Sequence, residues 1–266
     1  MALSFYQCSH SVFKLLQGFL GQTVCKRAVL EGYEVASLSR RGLPPPSSGA
    51  PSSAANIDYR KGDARDKLAV TSILSEGGFS GIVHCIGLLF DSESGLGDYN
   101  VFVSGSGSLL DNKSTYDTIT RVTAFNAIDA AIEYAEKEGL EKPLPFCFTS
   151  AAEAGWPEVL GGPQIEKFLA PEWLRRYLSA KRAVEEKLLG SPQLRPIIVR
   201  PSLIYSLDRP SSFVPVGAFF VGNSVGLPFV DRPVTVQALS CAIVKAMDKV
   251  DVSGILRYPH IDELSQ

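Results

Sequence analysis

Short β-branched runs alternate with stretches of helical periodicity along this chain, and this alternation most constrains its fold. It predicts parallel strands joined by crossover helices, and the near-continuous apolarity of the strands indicates burial on both faces. We therefore expect an α/β fold, a Rossmann-type, doubly wound, mostly parallel sheet forming a single domain over residues 1–266. The predicted strands are 33–39, 81–87, 145–150 and 196–202, and the helical stretches, each ending in glycine, are 122–139 and 178–190.

Composition narrows the classes of partner and site. A hydrophobic content of 45% is enough to fill one sizeable core, and a net charge of −2 argues against nucleic-acid binding. His84 lies inside an apolar run, so we interpret it as a buried, hydrogen-bonded residue rather than a metal ligand. The cysteines are too scattered for a zinc site, and they favour a reducing compartment; they are Cys8, Cys25, Cys85, Cys147 and Cys241.

Three segments are predicted to lie outside the regular sheet. Residues 42–56 are rich in Pro, Ser, Gly and Ala and should form a mobile surface loop. Residues 210–230 are uncharged over the length of a membrane span, but their three prolines and three glycines argue against a transmembrane helix. The first 14 residues carry no acid and one base, at best a weak or truncated targeting signal.

Tyr177 and Lys181 stand four residues apart, so a helix would place both on one face. A phenol exchanges protons poorly at neutral pH unless a nearby cation stabilises the phenolate, which the lysine can provide. Ser150 follows a strand at the edge where ligands of parallel sheets bind. The alternatives are a solvated helix face for the pair and a strand-end cap for the serine.

The order of these motifs resembles the extended and atypical short-chain dehydrogenase/reductase family. The strand-end Ser150, the Tyr-x-x-x-Lys motif and the Arg200-Pro201 run follow in that family's sequence and spacing. Gly18-Phe19-Leu20-Gly21 resembles the end of the family's G-G-x-G-F-[LIV]-G turn, whose first two glycines would fall at positions 15 and 16. Other matching blocks are Gly62-Asp63, residues 83–87, Asn126 and residues 232–236. Segments 114–121, 148–157 and 195–201 most resemble a fungal mitochondrial member of coenzyme Q biosynthesis, itself related to the NADPH-binding accessory subunit of respiratory complex I.

The resemblance implies a role for each matching residue. Tyr177 would be the general acid, Lys181 would lower its pKa and bind the nicotinamide ribose, and Ser150 would orient a substrate carbonyl. Gly87 would let the backbone approach the dinucleotide, although a turn requirement explains it equally well. The cofactor would also be contacted by Gly18, Phe19, Leu20, Gly21, Asp63, Arg200 and Pro201.

The end of the second strand indicates which dinucleotide would bind. Ser39, Arg40 and Arg41 occupy the place where an NAD-binding protein offers a carboxylate to the ribose hydroxyls. A basic pair suits a 2′-phosphate instead, so NADP(H) is favoured over NAD(H). The alternative is two solvated arginines at the start of a loop.

The chain departs from the family at the phosphate-binding turn. A G-x-G-x-x-G pattern is expected after the first strand, but residues 14–21 read KLLQGFLG. The last two glycines are present, the first is missing, and the first strand looks several residues short. This departure predicts weak dinucleotide binding.

Two hypotheses follow. The first is an NADP(H)-dependent oxidoreductase acting on an apolar, quinone-related carbonyl, with a substrate-side segment at about 202–235 that includes a lid at 213–230. The second is a non-catalytic dinucleotide-binding scaffold, peripherally associated with a mitochondrial membrane complex. The Tyr177–Lys181 pair favours the enzyme, and the altered turn favours the scaffold. The resemblance implies a mitochondrial location in either case.

Overall fold

The computed structural model describes residues 19–44, 57–100, 111, 113–206, 224 and 230–266, and residues 11–15 as backbone. Seven parallel strands form one sheet in the order β3-β2-β1-β4-β5-β6-β9, and two short strands, β7 and β8, pair beside it. The strands are β1 Ser11–Leu15, β2 Glu34–Ser39, β3 Ile57–Lys61, β4 Phe79–His84, β5 Leu144–Thr149, β6 Leu194–Val199, β7 Ile204–Tyr205, β8 Val234–Thr235 and β9 Gly254–Leu256.

Helices cover both faces of the sheet. One face packs against α2, α3 and α5, and the other against α1, α6 and α7. Within β5, Phe146 and Phe148 point into the first layer while Cys147 points into the second, which explains the continuous apolarity of the strand. The helices are α1 Phe19–Leu30, α2 Lys67–Leu74, α3 Thr123–Lys137, α4 Gly162–Leu169, α5 Glu172–Leu189, α6 Val236–Asp248 and α7 Tyr258–Ser265.

This strand order confirms the predicted doubly wound fold. The order reverses between β1 and β4, and ligands of such sheets bind beyond the carboxyl ends of the strands at that point. A functional site is therefore expected beyond the carboxyl ends of β1 and β4, with the end of β5 beside them.

The structure corrects two details of the sequence-based analysis. The first strand is not short: Ser11–Leu15 pairs along its full length with β2 and β4, and Leu15 lies opposite Leu38 and His84. Three residues, 16–18, connect it to α1. The helix carrying Tyr177 begins at Glu172, six residues before the predicted start, directly after Pro171, because a proline disfavours helical backbone in the residue before it.

The predicted helix stop at Gly139 is confirmed. This glycine has φ +60°, and the amide of Leu140 reaches back to the Ala135 carbonyl, a Schellman-type end that favours glycine.

Three predicted segments lie wholly or partly outside the described residues. They are residues 45–56 of the surface loop, residues 16–18 of the turn, and residues 207–223 and 225–229 of the substrate-side segment. Among the described residues no helix is long and apolar enough to cross a membrane.

Candidate active site at the carboxyl edge of the sheet

Lys181 is buried at the carboxyl end of β5, where its ammonium donates a hydrogen bond to the carbonyl of Thr149 (Nζ–O 2.7 Å). The ammonium also lies 4.9 Å from the ring centroid of Phe148 and 5.5 Å from that of Tyr177. Burial lowers the pKa of Lys181 to about 8, and the charges of Glu185 and Cys85 oppose this shift. The lysine is thus held beside the strand end that precedes Ser150.

Tyr177 lies one helical turn before Lys181 and packs with Leu178, Ala151 and Ala154. Burial raises the pKa of its phenol above the ordinary value, and the charges of Glu153 and Tyr116 act in the same direction. The phenol therefore holds its proton firmly at neutral pH. The lowering of this pKa that the resemblance implies for Lys181 stays a prediction.

Ser150 follows directly after β5, and its amide donates to the carbonyl of Val199 (2.8 Å). Its side chain is buried, and Oγ has no hydrogen-bond partner among the described residues. A buried hydroxyl without a partner is costly unless a ligand or water completes it. The alternative considered from the sequence, in which the Ser150 hydroxyl caps the strand end by a hydrogen bond, is not observed among the described residues.

Glu153 is a residue that the sequence analysis missed. It lies in the 3-10 turn Ala152–Glu158, and its charge acts on the phenol of Tyr177. Burial raises the pKa of this carboxyl to about 7, and the charge of Asp231 adds to the shift. Its position three residues after Ser150, as the single charge in an alanine-rich run, was the available signal.

Two guanidinium groups fix this 3-10 turn. Arg182 donates to the carbonyl of Ala154 (2.8 Å) and forms a bidentate ion pair with Glu166 (2.6 and 2.7 Å). Arg200, which is 3% exposed, pairs bidentately with the buried Glu185 (2.6 and 2.9 Å) and also with Glu158 (2.9 and 3.0 Å).

Arg200 was predicted to contact a cofactor, and the structure places its guanidinium among carboxylates. A Cβ at Gly155 would lie 2.8 Å from Nη1, so glycine is needed there to admit the arginine. The carbonyl of the adjacent Pro201 accepts from the amide of Ala152 (2.9 Å). Both residues thus anchor the turn that carries Glu153.

The predicted adenine-side residues meet at the ends of β2 and β3. The buried Ser39 accepts a hydrogen bond at Oγ from the amide of Gly42 (3.0 Å), while Arg40 and Arg41 are exposed. Burial by itself would raise the pKa of Asp63, but hydrogen bonds from Arg65 and the charges of Arg65 and Arg40 lower it overall. Asp63 therefore stays ionised beside Arg65 and Arg40.

The loop that carries Asp63 is held by the long helix α3. Asn126, the helix asparagine matched in the sequence, donates to the carbonyls of Ala64 and Arg65 (3.0 and 2.9 Å). The asparagine therefore positions the loop after β3.

Two residues at and just after the end of β4 bear on the site: the backbone of Gly87 lies close to Lys181, and the polar side chain of His84 is buried. A Cβ at Gly87 would lie 3.4 Å from the ammonium of Lys181, so the backbone there is close to the lysine. His84 is fully buried, and its Nε2 is 3.1 Å from Oγ1 of Thr123, as the sequence predicted. Burial lowers the pKa of His84 to about 3, and the charge of Lys181 acts in the same direction, so the ring is neutral.

Of the predicted phosphate-binding residues, Gly18 lies outside the described part of the chain. Phe19 begins helix α1, and Leu20 and Gly21 are buried in its first turn. Helix α1 follows β1 after residues 16–18, and a helix amino terminus that follows a strand in this order of elements can bind phosphate.

The described residues suit a nicotinamide dinucleotide. Ser150 Oγ needs a partner, and among the described residues the ammonium of Lys181 shows hydrogen bonding to the Thr149 carbonyl only, although it carries three donors. Both groups lie at the carboxyl edge beside the point where strand order reverses. No group of residues that could hold a metal ion is found in the described part of the chain.

Comparison with known proteins gives a curated relative and solved structures with a shared fold. No protein-family model matches the chain. A curated relative, MIOREX complex component 2 of Saccharomyces cerevisiae, is 25% identical over 284 residues, spanning 92% of this chain and 95% of the relative. The sequence-based resemblance to a fungal protein is thus confirmed over nearly the whole chain.

Solved structures share the fold at low sequence identity. A short-chain dehydrogenase from Streptomyces avermitilis is 14% identical, with a TM-score of 0.59 over 97% of this chain and 92% of its own. ElxO with NADP bound is 15% identical, with a TM-score of 0.60 over 94% and 96%. The Bordetella bronchiseptica enzyme WbmH in complex with NAD+ is 18% identical, with a TM-score of 0.57 over 94% and 75%. The predicted likeness to short-chain dehydrogenases is therefore confirmed at the level of the fold.

Proposed function

We propose that this protein is an NADP(H)-dependent oxidoreductase that acts on an apolar carbonyl or quinone-related substrate. The observation that carries the proposal is the buried ammonium of Lys181, hydrogen-bonded to the strand end that precedes Ser150, with Tyr177 one helical turn away. The solved structures that share the fold include proteins with NADP or NAD+ bound, which supports a nicotinamide cofactor.

Each residue then has a chemical task. A bound nicotinamide supplies or accepts hydride. Tyr177 holds the proton that a carbonyl oxygen receives on reduction, since burial keeps its phenol protonated at neutral pH. Ser150 donates a hydrogen bond to that oxygen, and the cation of Lys181 favours the phenolate once the proton has left.

The choice of NADP(H) over NAD(H) rests on Arg40 and Arg41. Both are exposed after β2, and the charge of Arg40 acts on Asp63, which supports a position for Arg40 at the proposed adenine side. A guanidinium there suits a 2′-phosphate. Gly87 and the amino end of α1 complete the proposed cofactor contacts.

We place the reaction in mitochondrial coenzyme Q biosynthesis, with peripheral association to a membrane complex. The sequence resemblance to a fungal member of that pathway supports the substrate class. The name of the yeast relative, a component of the MIOREX complex, supports membership of an assembly.

A second function, that of a non-catalytic dinucleotide-binding scaffold, is favoured by one feature. Leu15 and Leu16 stand where the family carries the first glycines of its phosphate-binding turn, although β1 and α1 are both in place. A scaffold protein requires a stable fold but no catalytic turnover of a substrate.

Calorimetric titration with NADPH, followed by its oxidation in the presence of a short-chain quinone, separates the two functions. In the oxidoreductase, Tyr177→Phe should leave NADPH affinity nearly unchanged and reduce turnover by about 10²-fold or more, because the proton donor is lost. Tyr99→Phe, at an exposed tyrosine, is the control. Binding without oxidation by the wild type would support the scaffold, and full turnover by the Tyr177→Phe variant would overturn the role of Tyr177.

A further inference from the structure

A second tyrosine, Tyr116, packs edge-on against the ring of Tyr177. The ring centroids are 5.5 Å apart and the planes are inclined by 68°. Tyr116 is 2% exposed, whereas Tyr177 is half-buried. Edge-to-face packing is the favoured geometry for two aromatic rings, so the fixed ring restricts how the phenol of Tyr177 can turn.

Tyr116 is held both at its side-chain hydroxyl and at its backbone amide. Its hydroxyl donates to the carbonyl of Leu89 (2.7 Å), and its amide donates to Oδ2 of Asp91 (3.3 Å). The guanidinium of Arg176 lies 5.6 Å from the ring centroid. Because its hydroxyl is occupied by a backbone carbonyl, Tyr116 acts on Tyr177 through its ring rather than as a proton donor.

The segment that holds Tyr116 also contacts the helix that carries Tyr177. Asp91 is fully buried and pairs with Arg176 (Nη2–Oδ1 3.4 Å), the residue immediately before Tyr177. One turn earlier, Trp173 packs edge-on against Phe90, with 4.9 Å between ring centroids. The loop after β4 and helix α5 are therefore joined on both sides of the Tyr116–Tyr177 contact.

We infer that Tyr116 is a positioning residue, which the tether to Leu89 and Asp91 holds so that its ring sets the orientation of the Tyr177 phenol. The inference rests on the proposed function, since it gives the orientation of Tyr177 a catalytic purpose. Tyr116 touches the proton donor and not the reacting atoms.

Two variants separate the ring from its tether. Tyr116→Leu removes both the aromatic edge and the hydroxyl, whereas Tyr116→Phe removes only the hydrogen bond to Leu89. We expect turnover with NADPH and a short-chain quinone to fall at least about fivefold in the Leu variant and less in the Phe variant. The KM of the quinone and the affinity for NADPH should stay within about twofold, because neither ligand loses a contact.

A second readout does not depend on activity. In protein with carbon-13-labelled tyrosine, the Tyr177 resonance is assigned by its loss in Tyr177→Phe. We expect it to shift or broaden in both Tyr116 variants without cofactor present. If the wild type does not oxidise NADPH, the proposed function fails while this resonance still decides the positioning role.

Tyr134 offers a matched control on α3. Its hydroxyl donates to the carbonyl of Phe79 (3.0 Å), and its ring packs edge-on against Phe79 at 6.1 Å and 72°. Tyr134→Leu and Tyr134→Phe should leave turnover and the Tyr177 resonance unchanged. If Tyr116→Leu does not fold, Tyr116→Phe is compared with Tyr134→Phe instead. An unchanged Tyr177 resonance or undiminished turnover in the folded Tyr116 variants, or equal effects in the Tyr134 variants, would overturn the inference.

Discussion

At the scale of single residues, the spacing of Tyr177 and Lys181 was enough to predict a shared helix face, but not their surroundings. The carbonyl of Thr149 that holds Lys181 belongs to another element, 32 residues away, and backbone partners leave no trace in side-chain spacing. Glu153 was missed for a related reason. A single glutamate normally indicates a solvated surface, and only the folded chain buries this carboxyl near enough to Tyr177 for its charge to act on the phenol.

The buried position of Lys181 predicts an alkaline limit to activity. Because burial lowers its pKa to about 8, the ammonium is lost above that pH, and turnover should fall with an apparent pKa near 8. Lys181→Arg keeps its charge beyond pH 12 or so, so an active arginine variant should lack this limit. The pH dependence of kcat, measured for the wild type and for Lys181→Arg, checks both expectations. Lys187→Arg, on the same helix, is the control and should keep the alkaline limit. A flat profile from about pH 7 to 9 would contradict the assignment.

The same shift affects stability with a definite sign. The folded pKa of Lys181 lies below the ordinary value of 10.5, so the unfolded chain binds more protons between about 8 and 10.5. The contribution of Lys181 to the free energy of unfolding should therefore rise with pH across that window. Chemical denaturation at several pH values, compared between wild type and Lys181→Met, measures it.

At the scale of elements, strand-helix alternation predicted the central strands to within a few residues. The first strand was predicted to be several residues short, but Ser11–Leu15 pairs with β2 and β4 along its full length. The start of α5 was placed late because residues 172–177 carry several charges and little apolar periodicity. The N-cap at Pro171 determines that boundary.

The connection between β1 and α1 predicts how the turn can be restored. Since both elements are already in place, Leu15→Gly with Leu16→Gly supplies the missing glycines without added residues. The backbone can then approach a pyrophosphate, and NADPH binding should tighten by at least about tenfold, or roughly 1.4 kcal/mol. Calorimetry of the wild type and double variant measures the change. Leu15→Ala with Leu16→Ala controls for loss of bulk, and an equal gain in both variants would exclude a glycine effect.

At the scale of the whole molecule, cofactor choice should appear in thermal stability. A ligand that binds only the folded state stabilises it by RT ln(1 + [L]/Kd). A bond from Arg40 to the 2′-phosphate corresponds to about 10- to 150-fold in affinity. At equal saturating concentrations NADPH should raise Tm more than NADH by several degrees. Arg40→Ala should narrow this difference, and Arg27→Ala, at an exposed ion pair on α1, should not. Equal increases in Tm with NADPH and NADH in the wild type would contradict the proposed preference for NADP(H).

The doubly wound topology follows from strand and helix patterns distributed over the whole chain, which is why it could be predicted. The contacts between the loop after β4 and α5 could not, because Asp91 and Arg176 are 85 positions apart and nothing in their local sequence pairs them. Long-range polar contacts of this kind depend on the completed fold.

The position of β1 limits how the chain can be processed by a protease. This strand is the earliest of the described elements, yet it lies between β2 and β4 in the middle of the sheet. Cleavage before Ser11 would leave the sheet whole, whereas cleavage after Leu15 would remove an interior strand and leave the facing edges of β2 and β4 without hydrogen-bond partners. Exposed strand edges promote aggregation. Any peptidase that trims this chain from its amino end must therefore cut before residue 11 to leave the sheet whole.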